Sequence, residues 1–198
     1  MLEPRAKEVL HFWFGRVERT VIPTQRRARI WFGDHKDVDL MIRKQFNQDL
    51  LHAKSGDYHH WEESPHGQLA LIIILDQFSR HIYRGSQDAY TQDHLAIEIC
   101  LRAINQGDDH RLSLIERVFF YFPLLHSEHL AYQESAMQVY QTLLDLALPE
   151  TKVIYESFFK FASHHYNIIR QFGRFPQRNS VLSRVSTKEE QIYLDQAE

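Results

Sequence analysis

Three short stretches carry side chains suited to holding or transforming an anion. In the first, Asp76, Gln77, Arg80 and Arg84 follow the apolar run Leu69 to Leu75. On a helix Asp76 and Arg80 fall one turn apart on the same face. A carboxylate and two guanidinium groups closing an apolar helix need partners. Those partners are either each other, as an internal Asp76–Arg80 pair, or a ligand. In the second stretch Pro123 breaks a helix, so His126, Ser127 and Glu128 occupy a turn leading into the next one, where free backbone donors attract anions. Helix capping and solvent contacts are the simpler use of these residues. In the third, Gly173 and Pro176 bend the chain sharply, turning Arg174 and Arg178 away from regular structure just after His165. Two rigid guanidinium forks suit a carboxylate or phosphate, although they would also serve to tie the loop to acids such as Asp76 or Glu128. A core histidine with satisfied hydrogen bonds is the plainer reading of His165 unless a carboxylate lies beside it.

Together these stretches define a candidate ligand site of Asp76, Gln77, Arg80, Arg84, His126, Glu128, His165, Arg174 and Arg178. The leading expectation is a polar pocket, lined by aromatics, that selects a small anion. A second reading is a scaffold holding a peptide or protein partner in a helical groove. A third is a hydrolase or lyase with His126 or Glu128 as general base and Arg174 and Arg178 stabilising negative charge, with no catalytic residue assigned. His126 and His129 stand at i, i+3 beside Glu128, yet no HExxH or comparable ligand set accompanies them, so no metal is expected. Nucleophile elbow, glycine-rich phosphate loop and dinucleotide fingerprint are all missing, and no cofactor is expected.

Composition narrows the classes. The 198 residues are 43% hydrophobic, enough for one domain over 1–198 to bury a core unaided. The single cysteine, Cys100, lies in an apolar run and reads as a small buried hydrophobe in a reducing compartment. The N-terminus lacks the features of a secretory signal, and Leu69 to Leu75 is too short to span a bilayer, so a cytoplasmic protein with no membrane partner is expected. A net charge of −3 argues against nucleic acid as a partner. Charge is nonetheless uneven: eleven acids face four Lys or Arg between Gly85 and Glu156, whereas Ser157 to Lys188 holds six Lys or Arg and no acid. Either the basic segment packs on the acidic one or it builds an anion site.

The elements that must position these groups are all helical. Apolar spacings of three and four recur throughout, with no sustained alternation of period two, so the fold class is all-α with eight or nine helices. The expected helices run over about 4–14, 25–32, 38–53, 65–83, 91–105, from the Ser113 cap to Phe122, from Ser127 to about Leu146, and from about Pro149 to Phe172. The helix opened by Ser64-Pro65 is apolar on all sides in its first half and should be the central buried one. Met41, Ile42, Phe46 and Leu50, with Leu51, are expected inside on the third helix, and Ile154, Phe158, Phe161, His165, Ile168 and Phe172 on the long one. Ser186 to Glu189 has capping-box spacing for a short C-terminal helix.

The ordered motifs Phe12-Trp13-Phe14-Gly15, Leu75 to Arg80, Ile82 to Gly85, His126-Ser127-Glu128 and Phe172 to Pro176 resemble those of a bacterial family of unknown function. The resemblance spans nearly the whole chain and continues through Arg178-Asn179, Arg184 and Ser186-Thr187. It implies a tetratricopeptide-like helical array with a shared site and no assigned reaction. The chain departs from that pattern at Ser79, where proline is expected, His81 for asparagine, Gln177 for histidine and Ser183 for glycine.

Overall fold

The apolar run dictates the architecture, because a helix buried on every side must be wrapped by others. A computed structural model describes residues 2–15, 24–33 and 35–197. Among them there is no strand, and no helix is long and apolar enough to cross a membrane. Helix α1 (Pro4–Phe14) and helix α2 (Gln25–Trp31) precede the 20-residue α3 (Lys36–Ser55). Helix α4 (Pro65–Ile72), capped by the Ser64 hydroxyl, runs without interruption into a π-helical turn (Ile73–Phe78) and then α5 (Ser79–Ile82). Leu69 to Leu75 are all buried, as the sequence predicts, and burial continues through Asp76, Gln77, Phe78 and Ser79. Helices α1, α3, α6 (Asp93–Gln106) and α7 (Leu114–Phe120) pack around this rod.

The C-terminal half is a helical pair and a brace. Helices α9 (Leu130–Leu146) and α10 (Lys152–Phe172) are joined by five residues and pack along each other. Gly173, at φ +69°, stops α10 in the left-handed conformation that a glycine adopts without penalty. The chain then turns through a 3-10 segment (Pro176–Arg178) into α11 (Lys188–Ala197). Ile168, Ile169 and Phe175 form a small second core there, with Phe172 and Tyr193 against it.

Several expectations shift. Pro123 does not end the helical path: it opens a further short helix, α8 (Phe122–His126), because proline's missing N–H costs nothing in a first turn. Ser127 accepts from His129 N–H but does not cap α9, whose N-cap position is taken by His129. The last capping box is one residue later than its spacing suggests: Thr187 Oγ1 accepts from Glu190 N–H and Glu190 accepts from Thr187 N–H. On α3 the buried stripe is Val38, Ile42, Phe46 and Leu50, leaving Met41 and Leu51 exposed. The stripe is rotated because Asp49 must turn inward to take a two-pronged ion pair from Arg5 at 2.6 and 2.8 Å. On α10 the buried face is Tyr155, Phe158, Ala162 and Ile169 beside Ile168, so Phe161 is 36% exposed, not core.

Candidate functional site

The π turn aims the first cluster. An i→i+5 turn inserts an extra residue into a helix and turns the side chains beyond it, a device frequent at functional sites. Here it lies at Ile73–Phe78 and brings Asp76 and Gln77 to the buried side. Ser79, at the position where the family pattern expects proline, donates its hydroxyl to the Leu75 carbonyl at 2.6 Å, with the Asp76 and Ala89 carbonyls at 3.2 Å.

Around Asp76 the chain assembles a hydrogen-bonded group. The carboxylate, fully buried, sits 2.7 and 2.9 Å from His126 Nδ1 at the end of α8. It also accepts from Gln77 at 2.5 Å and from Arg80 at 3.2 Å. Arg80 spans onward, donating to both oxygens of Asp93 at 3.0 Å and to the Ala89 carbonyl at 3.3 Å. Arg80 Nε also stands 3.3 Å from His126 Nδ1, but that nitrogen cannot accept from Arg80 while it donates to Asp76. The shorter contact to a buried carboxylate wins, which fixes the His126 proton on Nδ1 and leaves Nε2 as a lone-pair acceptor. Burial and then the Arg80 charge hold His126 below the ordinary histidine range, so it is neutral at pH 7. Burial opposes ionisation of Asp76, yet His126, Arg80 and Gln77 outweigh it and hold the carboxyl well below its usual value. Asp93 goes the other way, because burial exceeds the pull of Arg80.

The third stretch meets this group at Arg178. Its guanidinium lies against two rings, 4.7 Å from the centre of Tyr90 and 4.4 Å from that of Phe175, and Arg80 also lies over Tyr90, at 5.1 Å. The side chain is only 11% exposed. Its nearest carboxylate oxygen, on Asp93, is 3.8 Å away, beyond hydrogen-bond range, and its side chain makes no hydrogen bond among the described residues. Burial, then repulsion by Arg80, lowers its pKa to about 10. His165 completes the group: its ring lies 6.4 Å from His126 and 5.4 Å from Phe175, and its Nδ1 donates to the Phe161 carbonyl at 2.9 Å. Its Nε2 is therefore also an acceptor. Burial, followed by His126, drives its pKa down to about 3.

Six of the nine expected site residues thus converge: Asp76, Gln77, Arg80, His126, His165 and Arg178. Three do not. Arg84 reaches back to α3 and pairs with Asp39 at 2.6 and 2.8 Å, because the helix turns it away from Asp76 toward His81. Arg174 is taken by Glu190 at 2.6 and 2.7 Å, bracing α11. Glu128 accepts two bonds from Arg184 at 2.6 and 2.9 Å and one from Phe175 N–H at 2.8 Å. With its lone pairs so occupied, Glu128 is a poor base; it acts on the group by seating Phe175 under Arg178 and, more weakly, through its charge on the guanidinium.

Sequence reading missed Tyr90, Asp93 and Arg184 as parts of this arrangement. The surplus of acid before Glu156 and of base after Ser157 was the available signal, and the pairs Arg184–Glu128 and Arg178–Asp93 realise it. Ser183, in place of the expected glycine, has φ +54°, so the position does require the left-handed region glycine favours. Among the described residues no three His, Cys, Asp or Glu side chains are grouped to hold a metal ion.

With this geometry in place, comparison with known proteins is informative about kinship. The model of a bacterial protein family of unknown function, DUF924, matches residues 9–198. The chain is similar to a solved structure of a protein of unknown function from Agrobacterium tumefaciens, at 31% identity over 97% of each chain and a TM-score of 0.82. No curated protein matches it. The chain belongs to the DUF924 family.

Proposed function

We propose that the protein binds a small anion, a carboxylate or phosphate, at Arg178 and the exposed edge of Arg80, with His126 and His165 beside it. Arg178 carries the argument. A guanidinium nine-tenths buried, with no acceptor among the described residues within hydrogen-bond range and its donors open only to a narrow strip of solvent, is suited to an incoming group that supplies the acceptors. Asp76 and Asp93 neutralise Arg80 and set its direction, while Tyr90 and Phe175 pack against the Arg178 guanidinium, whose fork suits a two-pronged contact. Calorimetric titration with phosphate and with dicarboxylates tests this: saturable heat for the native chain, lost in Arg178→Met, is expected. No heat with either class of anion would refute it.

A catalytic use of the same site is favoured by one observation, the Asp76–His126 pair. A carboxylate on Nδ1 fixes the tautomer and leaves Nε2 as the acceptor, the arrangement of a general base, while burial and Arg80 keep the ring neutral. On this reading the site is that of a hydrolase or lyase, with His126 the base and Arg178, not Arg174, facing the negative charge. His126→Gln should then abolish turnover of a bound substrate while leaving anion affinity within about threefold; equal loss of both would reduce His126 to a binding residue. The peptide-binding scaffold of a tetratricopeptide-like array has no comparable support from a particular contact.

A further inference from the structure

The side chains around the candidate anion site close a circuit. His126 Nδ1 stands 3.3 Å from Arg80 Nε, Arg80 lies 5.1 Å from the centre of the Tyr90 ring, and Arg178 lies 4.7 Å from the same centre. On the other side Arg178 packs 4.4 Å from the centre of Phe175, the Phe175 ring lies 5.4 Å from His165, and the His165 ring 6.4 Å from that of His126. Groups joined in a ring of contacts border one space, so a ligand that meets Arg178 there also meets the two imidazoles. The hydrogen-bonding character of that border is mixed. The Nδ1 proton of His126 is committed to Asp76 and that of His165 to the Phe161 carbonyl, so both Nε2 atoms present lone pairs. Burial keeps both rings neutral at pH 7. Among the described residues neither Nε2 has a donor within hydrogen-bond range, and neither is fully shut off from solvent. Arg178, by contrast, presents donors alone. A plain carboxylate or a sulfate has only acceptors: it satisfies Arg178, but it sets its remaining lone pairs against two others and leaves both without a donor.

We propose that the anion carries its own hydroxyl: its charged oxygens meet the Arg178 fork while an O–H of the same molecule donates to Nε2 of His126 or His165. A 2-hydroxycarboxylate and a protonated phosphate share this chemistry. This rests on the anion-binding reading and adds the donor that reading leaves open. It also gives the buried Asp76–His126 pair a part in recognition, because a carboxylate that holds the proton on Nδ1 keeps Nε2 an acceptor. A site built to accept from a ligand hydroxyl discriminates against the analogue that lacks it, since the acceptor is then left unpaired.

Two sets of anions test the proposal at neutral pH: propionate, lactate and 2-methoxypropionate, and sulfate with phosphate. Affinities are read by calorimetry and contacts by nitrogen-15 shifts of the histidine rings, in the native chain and in His165→Phe, which keeps an aromatic ring and removes one acceptor. Methoxypropionate has the oxygen of lactate without the hydrogen. Lactate should bind about three- to tenfold tighter than either analogue, the gain of one neutral hydrogen bond, and phosphate should exceed sulfate by a like factor. A preference in the first set alone assigns a hydroxycarboxylate and in the second alone a phosphate; either supports the proposal. The Nε2 resonance of His126 or His165 should move with the preferred anion and not with its counterpart lacking the hydrogen. Equal affinities within both sets overturn the hydroxyl and spare the anion reading. Protonation of either Nε2 on binding propionate overturns it too, as does a preference that survives His165→Phe with His126 Nε2 unmoved, because the hydroxyl then lies elsewhere. Binding of none of these anions refutes both.

Discussion

Replacing Arg178 by methionine should make the protein more stable and less able to bind. Lowering the guanidinium pKa from 12.5 to about 10 means that holding the charge at this place costs of order 3 kcal/mol. That cost is constant through neutral pH, since the group stays charged until pH approaches the folded value. Against it stand the contacts with Tyr90 and Phe175, worth about 1 kcal/mol each. Methionine keeps the apolar stem against the two rings and makes no demand for acceptors. The net expectation is a gain of about 1–2 kcal/mol, or roughly 2–8 °C in Tm for a chain of this length. The same substitution should abolish the upward shift of Tm caused by a saturating anion, which for the native chain is about 2.7 kcal/mol at a hundred times Kd. Differential scanning fluorimetry with and without a saturating concentration of phosphate or succinate reads both effects. A variant destabilised by more than ~2 kcal/mol would refute the reasoning, for Arg178 would then be a structural residue whose donors are satisfied.

Other expectations follow from the same contacts. Asp76→Asn takes one of two carboxylates from Arg80, which keeps Asp93, and removes the charged acceptor of His126; it should cost about 1.5–3 kcal/mol in urea unfolding, above the surface-pair range. Acid should weaken the fold through His165: its folded pKa of about 3 lies below its ordinary value, so the unfolded chain binds the extra proton and stability, complete above about pH 6.5, is lost as pH falls toward 3. His165→Leu should flatten urea midpoints over that window, and a His165 ring titrating near 6.5 by NMR would contradict it. Glu190, held down at about 2 chiefly by Arg174, and Glu128, lowered mainly through Arg184 against the pull of burial, contribute stability above their ordinary values that is lost on acidification. Amides of α11 and of residues 173–186 should therefore lose hydrogen-exchange protection before those of α9 as pH falls below about 4.5. Glu128→Gln should loosen Phe175 and weaken anion binding only modestly, since it touches the guanidinium site through one ring; total loss would mean that Glu128 meets the ligand.

Helix boundaries were legible because their punctuation is local. Gly15, Gly56, Gly107 and Gly173 each follow the last turn of a helix, and Ser64 and Ser113 cap the next one by contacts within three residues. What escaped was decided by distant partners. The inward turn of Asp49 depends on Arg5, 44 residues away, and neither spacing nor propensity registers it. The π turn was invisible for a related reason: it begins inside an apolar run, where an extra residue changes no pattern, and the inward place of its polar members is matched by His126, 50 residues from Asp76.

The candidate site was half legible. Polar residues that interrupt apolar helices mark Asp76, Arg80 and Arg178 as needing partners, but sequence cannot choose among several nearby acids. Glu128 lies in the same short motif as His126, yet the Ser127 bend sends the two side chains to different neighbours, Arg184 and Asp76. Arg174 and Arg178 are four apart, which suggests a shared face; the chain leaves the helix at Gly173, and the pair separates to Glu190 and the Tyr90–Phe175 cleft. Asp93 and Tyr90 carried no motif of their own and enter only because α6 begins where the π turn delivers Arg80.

The central claim is that Arg178, His126 and His165 face one bound anion. Nitrogen-15 spectra of the histidine rings and the arginine Nε groups, recorded during titration with phosphate and with a short carboxylate, test it most directly. Saturable shifts at His126 Nε2, His165 Nε2 and Arg178 Nε with a single dissociation constant are predicted, while His126 Nδ1, bonded to Asp76, should keep its proton throughout. Shifts confined to Arg174, Arg84 or the exposed histidines, or none at any of the three, would contradict it.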